Sequence, residues 1–206
     1  VNMPRDAAGF DRIATQVFAP LYPAVARRVL SWAGIERGRC VDLGAGPGLL
    51  GIAVAEHSRM EVVALDRDPE ILSFASRHIR EADLSDTVVP VVGDVHALPF
   101  CDGSVDLFVS RGSIFFWDNR PQAFSEIYRA LAPGGVTYLG GSFGNLAIKE
   151  QIFTEMRRRN PHWDEDVARR SGWARPADLT AALAAAGIPN AGIKKEETGF
   201  WVEIRK

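Results

Sequence analysis

Cysteine is scarce in this 206-residue chain: Cys40 and Cys101 stand far apart and in no ligand spacing. That excludes a cysteine zinc site and a disulfide framework, leaves no metal expected, and suits a reducing cytoplasm. An excess of one charge is also lacking, with 24 Lys and Arg against 26 Asp and Glu and a formal net charge of -2. Such a balance gives no electrostatic reason to expect nucleic acid or an anionic membrane as partner. The one basic run, Arg157-Arg158-Arg159, reads as a solvated helix face. No apolar run is long enough to span a bilayer, and no secretory signal, internal repeat or low-complexity segment is recognisable.

What is present is enough apolar material for a real core, 47% of residues, in a length that fits one domain over 1–206. The most informative stretch is Cys40-Val41-Asp42-Leu43-Gly44-Ala45-Gly46-Pro47-Gly48. A short apolar strand runs into an acid, then into glycines at every second position, then into a helix-like run. Glycine lets a backbone turn tightly and approach a ligand without a side chain in the way. A strand that delivers such a turn into a helix N-terminus builds a nucleotide or nucleoside pocket at the carboxyl edge of a parallel sheet.

Hydrophobic periodicity predicts a helical lead over 9–32, interrupted at Pro20 and Pro23. Strands are predicted at 39–43, 61–65, 88–92, 105–109 and after Gly135 to Leu139, with helices at 47–57, 69–81 and 121–131 between them. This alternation predicts a doubly wound α/β sandwich with right-handed crossovers. Further helices are expected at 146–159 and 177–186. Two last strands, 191–195 and 200–204, are too close for a helical crossover and must pair antiparallel. The expected organisation is a helical lead over 1–34, a strand–helix core over 38–141, and C-terminal helices and a hairpin over 142–206.

The generic dinucleotide pattern is met in one register by Gly46, Gly48 and Gly51, with Asp66 at the spacing of a ribose-binding acid. That leaves an NAD-dependent oxidoreductase as an alternative. Against it, Pro47 removes a backbone N–H from the loop that would cradle a pyrophosphate, and little chain follows the sheet for a substrate domain. S-adenosylmethionine has no phosphates. It offers an ammonium, a ribose diol and an adenine amino group. Asp42, Asp66 and Asp94, each at the end of a successive strand, supply one acceptor for each. Asp68 and Asp102 read as cap or turn residues.

Val41-Asp42-Leu43-Gly44-Ala45-Gly46-Pro47-Gly48 resembles the first motif of class I S-adenosylmethionine-dependent methyltransferases. Leu65-Asp66 resembles their acidic second-strand motif. Gly93 to Phe100, Ser104 to Leu107, and Glu126 to Gly135 are similar to their later strands and the turn before strand five. The pattern is closest to the type 11, quinone-biosynthesis-like branch. The resemblance implies a Rossmann-like seven-stranded sheet, mostly parallel, ending in an antiparallel hairpin. It implies methyl transfer to a small-molecule acceptor, leaving S-adenosylhomocysteine. By the same resemblance Asp42, Gly44, Ala45, Gly46 and Gly48 line the methionine end, Asp66 and Arg67 flank the ribose, and Asp94 and Val95 hold the adenine. Ser110 and Arg111 face the methyl group and the acceptor.

In-line displacement needs alignment and water exclusion, with no obligatory triad. A non-catalytic nucleoside-binding or interaction module therefore stays open as well. Ser110-Arg111-Gly112-Ser113-Ile114-Phe115-Phe116-Trp117 is not the Asn/Asp-Pro-Pro-Tyr/Phe type of motif, which argues against nucleic-acid or glutamine N-methylation. Arg111 suits either an anionic acceptor or an ion pair with a carboxylate such as Asp118. Phe115, Phe116 and Trp117 suit either a pocket wall or the core. The resemblance implies that 1–34 is a lid over a cofactor-binding core at 38–141, and Tyr22 on that lid is the hydroxyl candidate on the acceptor side. His96 reads as a turn residue near the adenine, with a general-base role as the alternative.

Overall fold

A computed structural model describes residues 6–172 and 174–206. The first five residues of the expected lid lie outside the described part. Asp6 caps α1 (Ala7–Gln16) by accepting the Gly9 N–H. α2 (Leu21–Ala33) follows, with Pro20 at its cap. Pro23 was expected to interrupt the lead, yet it lies inside α2. It occupies the first turn, where a backbone N–H has no helical partner to lose.

The sheet order is β3-β2-β1-β4-β5-β7-β6. β1 (Arg37–Leu43), β2 (Arg59–Asp66), β3 (Val88–Val92), β4 (Val105–Arg111) and β5 (Leu131–Gly140) are parallel. β6 (Ala191–Glu196) and β7 (Gly199–Ile204) form the antiparallel hairpin, which joins β5 through Leu139–Val202 and Gly140–Trp201. The crossovers are α3 (Leu49–Glu56), α4 (Pro69–Glu81) and α5 (Arg120–Ala130). α6 (Leu146–Arg159), α7 (Trp163–Gly172) and α8 (Pro176–Ala185) lead into the hairpin. α7 has no counterpart among the predicted elements. β5 begins earlier than predicted because Leu131 pairs with Val105 before Pro133-Gly134-Gly135, and the ladder resumes at Val136 with a register shift.

The sheet's period-two alternation divides the core into two layers. Cys40, Leu107 and Val109 face α2, α3 and α4, packing with Val25, Ile52 and Leu72. Val41, Leu43 and Phe108 face α5 and α8, packing with Phe124, Ile127 and Leu179. Five consecutive strands thus stop at one carboxyl edge, where β1 and β4 are neighbours with crossovers on opposite faces. That switch in the winding leaves the crevice where an α/β sheet holds ligands.

Candidate active site

The crevice holds a cavity of about 460 Å³. Its floor is the loop between β1 and α3. Pro47 falls in this loop and not in the helix, which starts at Leu49 with Gly48 as its cap. Gly44 and Gly46 have φ of 65° and 56°, a region that favours glycine. At Gly44 a β-carbon would sit 2.4 Å from Ser113 Cβ, so the loop also needs glycine for packing. At Gly46 a β-carbon would lie 3.0 Å from Phe10 Cε1, which places the α1 ring over the loop. Ala45 N–H donates to the Leu65 carbonyl (3.0 Å). Gly46 N–H donates to Asp66 Oδ2 (2.8 Å).

Asp66 therefore does two things at once. One oxygen holds the glycine loop, and the other accepts the Asp68 N–H (3.0 Å). A carboxylate has about four lone-pair sites, so acceptor capacity remains for a ligand. Asp42 is buried and accepts the Gly51 N–H (3.0 Å). Burial pushes its carboxyl up to about 7, against the Gly51 bond and with help from the Asp66 charge. Asp94 is exposed and takes both the backbone N–H and the ring Nδ1 of His96, which holds it below the usual carboxylate range. His96 Nε2 accepts the Asn119 N–H (3.3 Å), so both ring nitrogens are engaged.

Tyr22 and Arg111 also line the cavity, and Tyr22 feels the charges of both Arg111 and Asp42. Burial raises the Tyr22 phenol to about 12, opposed by the Arg111 charge. Burial lowers the Arg111 guanidinium to about 10, leaving it charged at neutral pH. Arg111 makes no pair with Asp118. Its Nε donates to the Ser142 carbonyl (3.3 Å), and its guanidinium carbon lies 5.1 Å and 4.7 Å from the Phe18 and Phe143 ring centroids. Phe115, Phe116 and Trp117 line the cavity.

Of the residues singled out in the sequence, Tyr22, Asp42, Gly44, Ala45, Gly46, Asp66, Arg67, Asp94, Val95 and Arg111 lie on this one wall. Gly48 and Ser110 do not. Gly48 packs against Ala75 of α4, where a β-carbon would come within 3.0 Å. Ser110 is fully buried and donates to the Leu43 carbonyl (2.7 Å), beside the Ser113 hydroxyl. Its side chain braces the loop from behind and does not face the cavity. Asp68 caps α4 and Asp102 pairs with Arg129.

A family profile described as a methyltransferase domain matches residues 41–139. A crystal structure from Methanococcus maripaludis, of a candidate S-adenosyl-L-methionine-dependent methyltransferase, is 40% identical and superposes with a TM-score of 0.93, covering 97% of this chain and 91% of that one. The chain belongs to the S-adenosylmethionine-dependent methyltransferases. Other relatives differ in what they act on. A malonyl-acyl-carrier-protein O-methyltransferase of Methylococcus capsulatus is 37% identical over 73% of this chain and 53% of its own length. A chloroplastic 2-methyl-6-phytyl-1,4-hydroquinone methyltransferase of Oryza sativa is 31% identical over 63% of this chain and 36% of its own. The chain spans 27% to 63% of the length of curated relatives such as these.

Membership sets the nicotinamide alternative aside. The donor set also fits the methyl donor: a buried acid, a strand-end acid and an exposed acid meet around a glycine floor, with no pyrophosphate cradle because Pro47 lacks an N–H. Several wall residues of this methyltransferase were absent from the sequence reading. Phe10, Phe143, Trp163, Val167 and Arg170 reach the cavity from α1, the β5–α6 loop and α7. α7 had a legible sign, three acids in its first turn and Arg169 and Arg170 in its last. No helix among the described residues is long and apolar enough to cross a membrane.

Proposed function

We propose that this chain catalyses methyl transfer from S-adenosylmethionine to a small-molecule acceptor. The observation that carries the reading is the convergence of Asp42, Asp66 and Asp94 on one glycine-floored cavity that Tyr22 and Arg111 also line. The bound donor supplies an electrophilic methyl group on a sulfonium. Asp42 receives its ammonium, and Asp66 accepts from the ribose diol with Arg67 alongside. Asp94 and Val95 hold the adenine, while Gly44, Ala45 and Gly46 keep side chains out of the donor's path. Gly48 and Ser110 support the loop from outside the wall.

Tyr22 and Arg111 belong to the acceptor side. Phe18, Phe143 and Trp163 exclude water there, which aids alignment and strengthens every electrostatic contact. His96 serves as a brace for Asp94 and the Asn119 backbone, and no base role is assigned to it. The whole of 1–206 works as one domain, with α1 and α2 as the lid over the 38–141 core and 142–206 closing the acceptor side. Calorimetry tests the cofactor. S-adenosylhomocysteine is expected to bind with one-to-one stoichiometry, and NADH is expected to give no heat. Release of S-adenosylhomocysteine on adding candidate acceptors separates an enzyme from a binding module. Tight NADH binding without competition by S-adenosylhomocysteine overturns the assignment.

A further inference from the structure

The acceptor end carries more positive charge than its own carboxylates neutralise. Arg111 and Arg170 both line it. Among the described residues, neither lies within ion-pairing distance of a carboxylate. Each is anchored through its Nε on a backbone carbonyl: Arg111 on Ser142 (3.3 Å) and Arg170 on Asp166 (3.2 Å). The Asp166 carboxylate is already committed to Arg169 and Asn160. The terminal nitrogens of both forks make no hydrogen bond among the described residues. Nature mounts the two cations on one aromatic group. Arg111 stacks on Phe18 and Phe143, and Arg170 lies 4.9 Å from the Trp163 ring centroid. Phe18 and Trp163 meet edge to face at 6.3 Å.

Trp163 lines the same cavity and is 3% exposed, so it supplies an apolar face there. Two unpaired guanidiniums in a low-dielectric wall repel each other as well, and Arg170 depresses Arg111 further. The cofactor's one carboxylate arrives with its own ammonium, so it leaves a positive surplus at this end. An oxyanion answers both guanidiniums, because their forks match carboxylate and phosphate geometry.

We propose that Arg111 and Arg170 form an oxyanion clamp and that the acceptor is an anion on an apolar body, seated against Phe18, Phe143 and Trp163. This rests on the methyltransferase reading given above. The two sources of such an anion, carboxylate and phosphate, are separated by the probes. Protein saturated with S-adenosylhomocysteine is titrated with 3-phenylpropionate, with phenyl phosphate, and with the neutral 3-phenylpropanamide. At least one oxyanion is expected to bind about tenfold or more tightly than the amide, as the loss of a charge-assisted bond implies. The tighter of the two names the source.

R170Q is expected to weaken the oxyanion about tenfold and leave S-adenosylhomocysteine affinity within about twofold. R170K, which keeps the charge without the fork, is expected to fall between, and circular dichroism confirms folding of both. Equal binding of amide and oxyanions overturns the clamp, as does no oxyanion binding at millimolar concentration. A loss of S-adenosylhomocysteine affinity in R170Q with unchanged probe binding overturns it too, since Arg170 would then hold the cofactor carboxylate. Failure of the methyltransferase reading looks different: the wild-type protein itself would not bind S-adenosylhomocysteine.

Discussion

Asp42 is a residue held at odds with its surroundings. An acid whose folded pKa is raised to about 7 binds more protons folded than unfolded between its ordinary value and 7. Stability therefore falls as pH rises across that window and stays reduced above it, by at most about 4 kcal/mol. Asp42→Asn keeps an oxygen for the Gly51 N–H and removes the charge. Its melting temperature is expected to exceed wild type at pH 8 and to match it at pH 4, while its affinity for S-adenosylhomocysteine drops. An unchanged difference across pH would show that Asp42 ionises normally. In the wild type, an incoming ammonium favours the ionised form, so cofactor binding below pH 7 should release a proton. Calorimetry in buffers of different ionisation enthalpy reads this directly. Tyr22, Cys40 and Asp66 are the ionisable groups coupled to it, and the first two stay protonated at neutral pH. Gly44→Ala is a sharper case of pure sterics. A β-carbon 2.4 Å from Ser113 Cβ at a positive φ is expected to destabilise by at least about 2 kcal/mol in urea melts.

At the scale of elements, α1 is held to α4 by a specific polar contact. Asp11 is buried and pairs with Arg77 (2.8 Å) on α4, while His78 Nε2 lies 2.9 Å from its other oxygen, which makes no hydrogen bond among the described residues. Burial also lowers the His78 imidazole, so at neutral pH the guanidinium is the charged partner. Asp11→Asn is expected to cost about 1–3 kcal/mol and to speed amide exchange in residues 7–17 more than in the sheet. Uniform loss of protection would make this contact part of the core and not a latch. The strands, the glycine loop and the terminal hairpin were legible because their signals are local: alternation, turn residues and the short spacing before β7. α7 carries only a charge signature in the sequence, three acids ahead of two arginines, and its place in the cavity wall comes from the non-local packing of Trp163 on Phe18 and Phe153. Ser110 misled for a related reason. The sequence places it just past a strand ending at 109, whereas it lies inside β4 and its hydroxyl donates to the Leu43 carbonyl. Arg111 was ambiguous in sequence, since only the fold reveals Ser142 and two rings where Asp118 was a candidate.

At the scale of the whole molecule, the proposed donor and acceptor sites share one cavity. S-adenosylhomocysteine at about a hundred times its dissociation constant adds roughly 2.7 kcal/mol to stability. For a chain of this length that corresponds to a melting shift of about 5–10 °C, and NADH should produce none. The stretch from α1 to the start of α2 touches both ends, with Phe10 over Gly46, Phe18 beneath Arg111 and Tyr22 between. One segment thus participates in two binding equilibria. A ligand that orders it from one side spares the other ligand that entropy, and linkage makes the benefit mutual. The factor by which the methyl donor's product tightens an acceptor analogue must equal the factor by which the analogue tightens the product. Cooperativity between chemically unrelated molecules then comes from a shared roof, with no contact between them required.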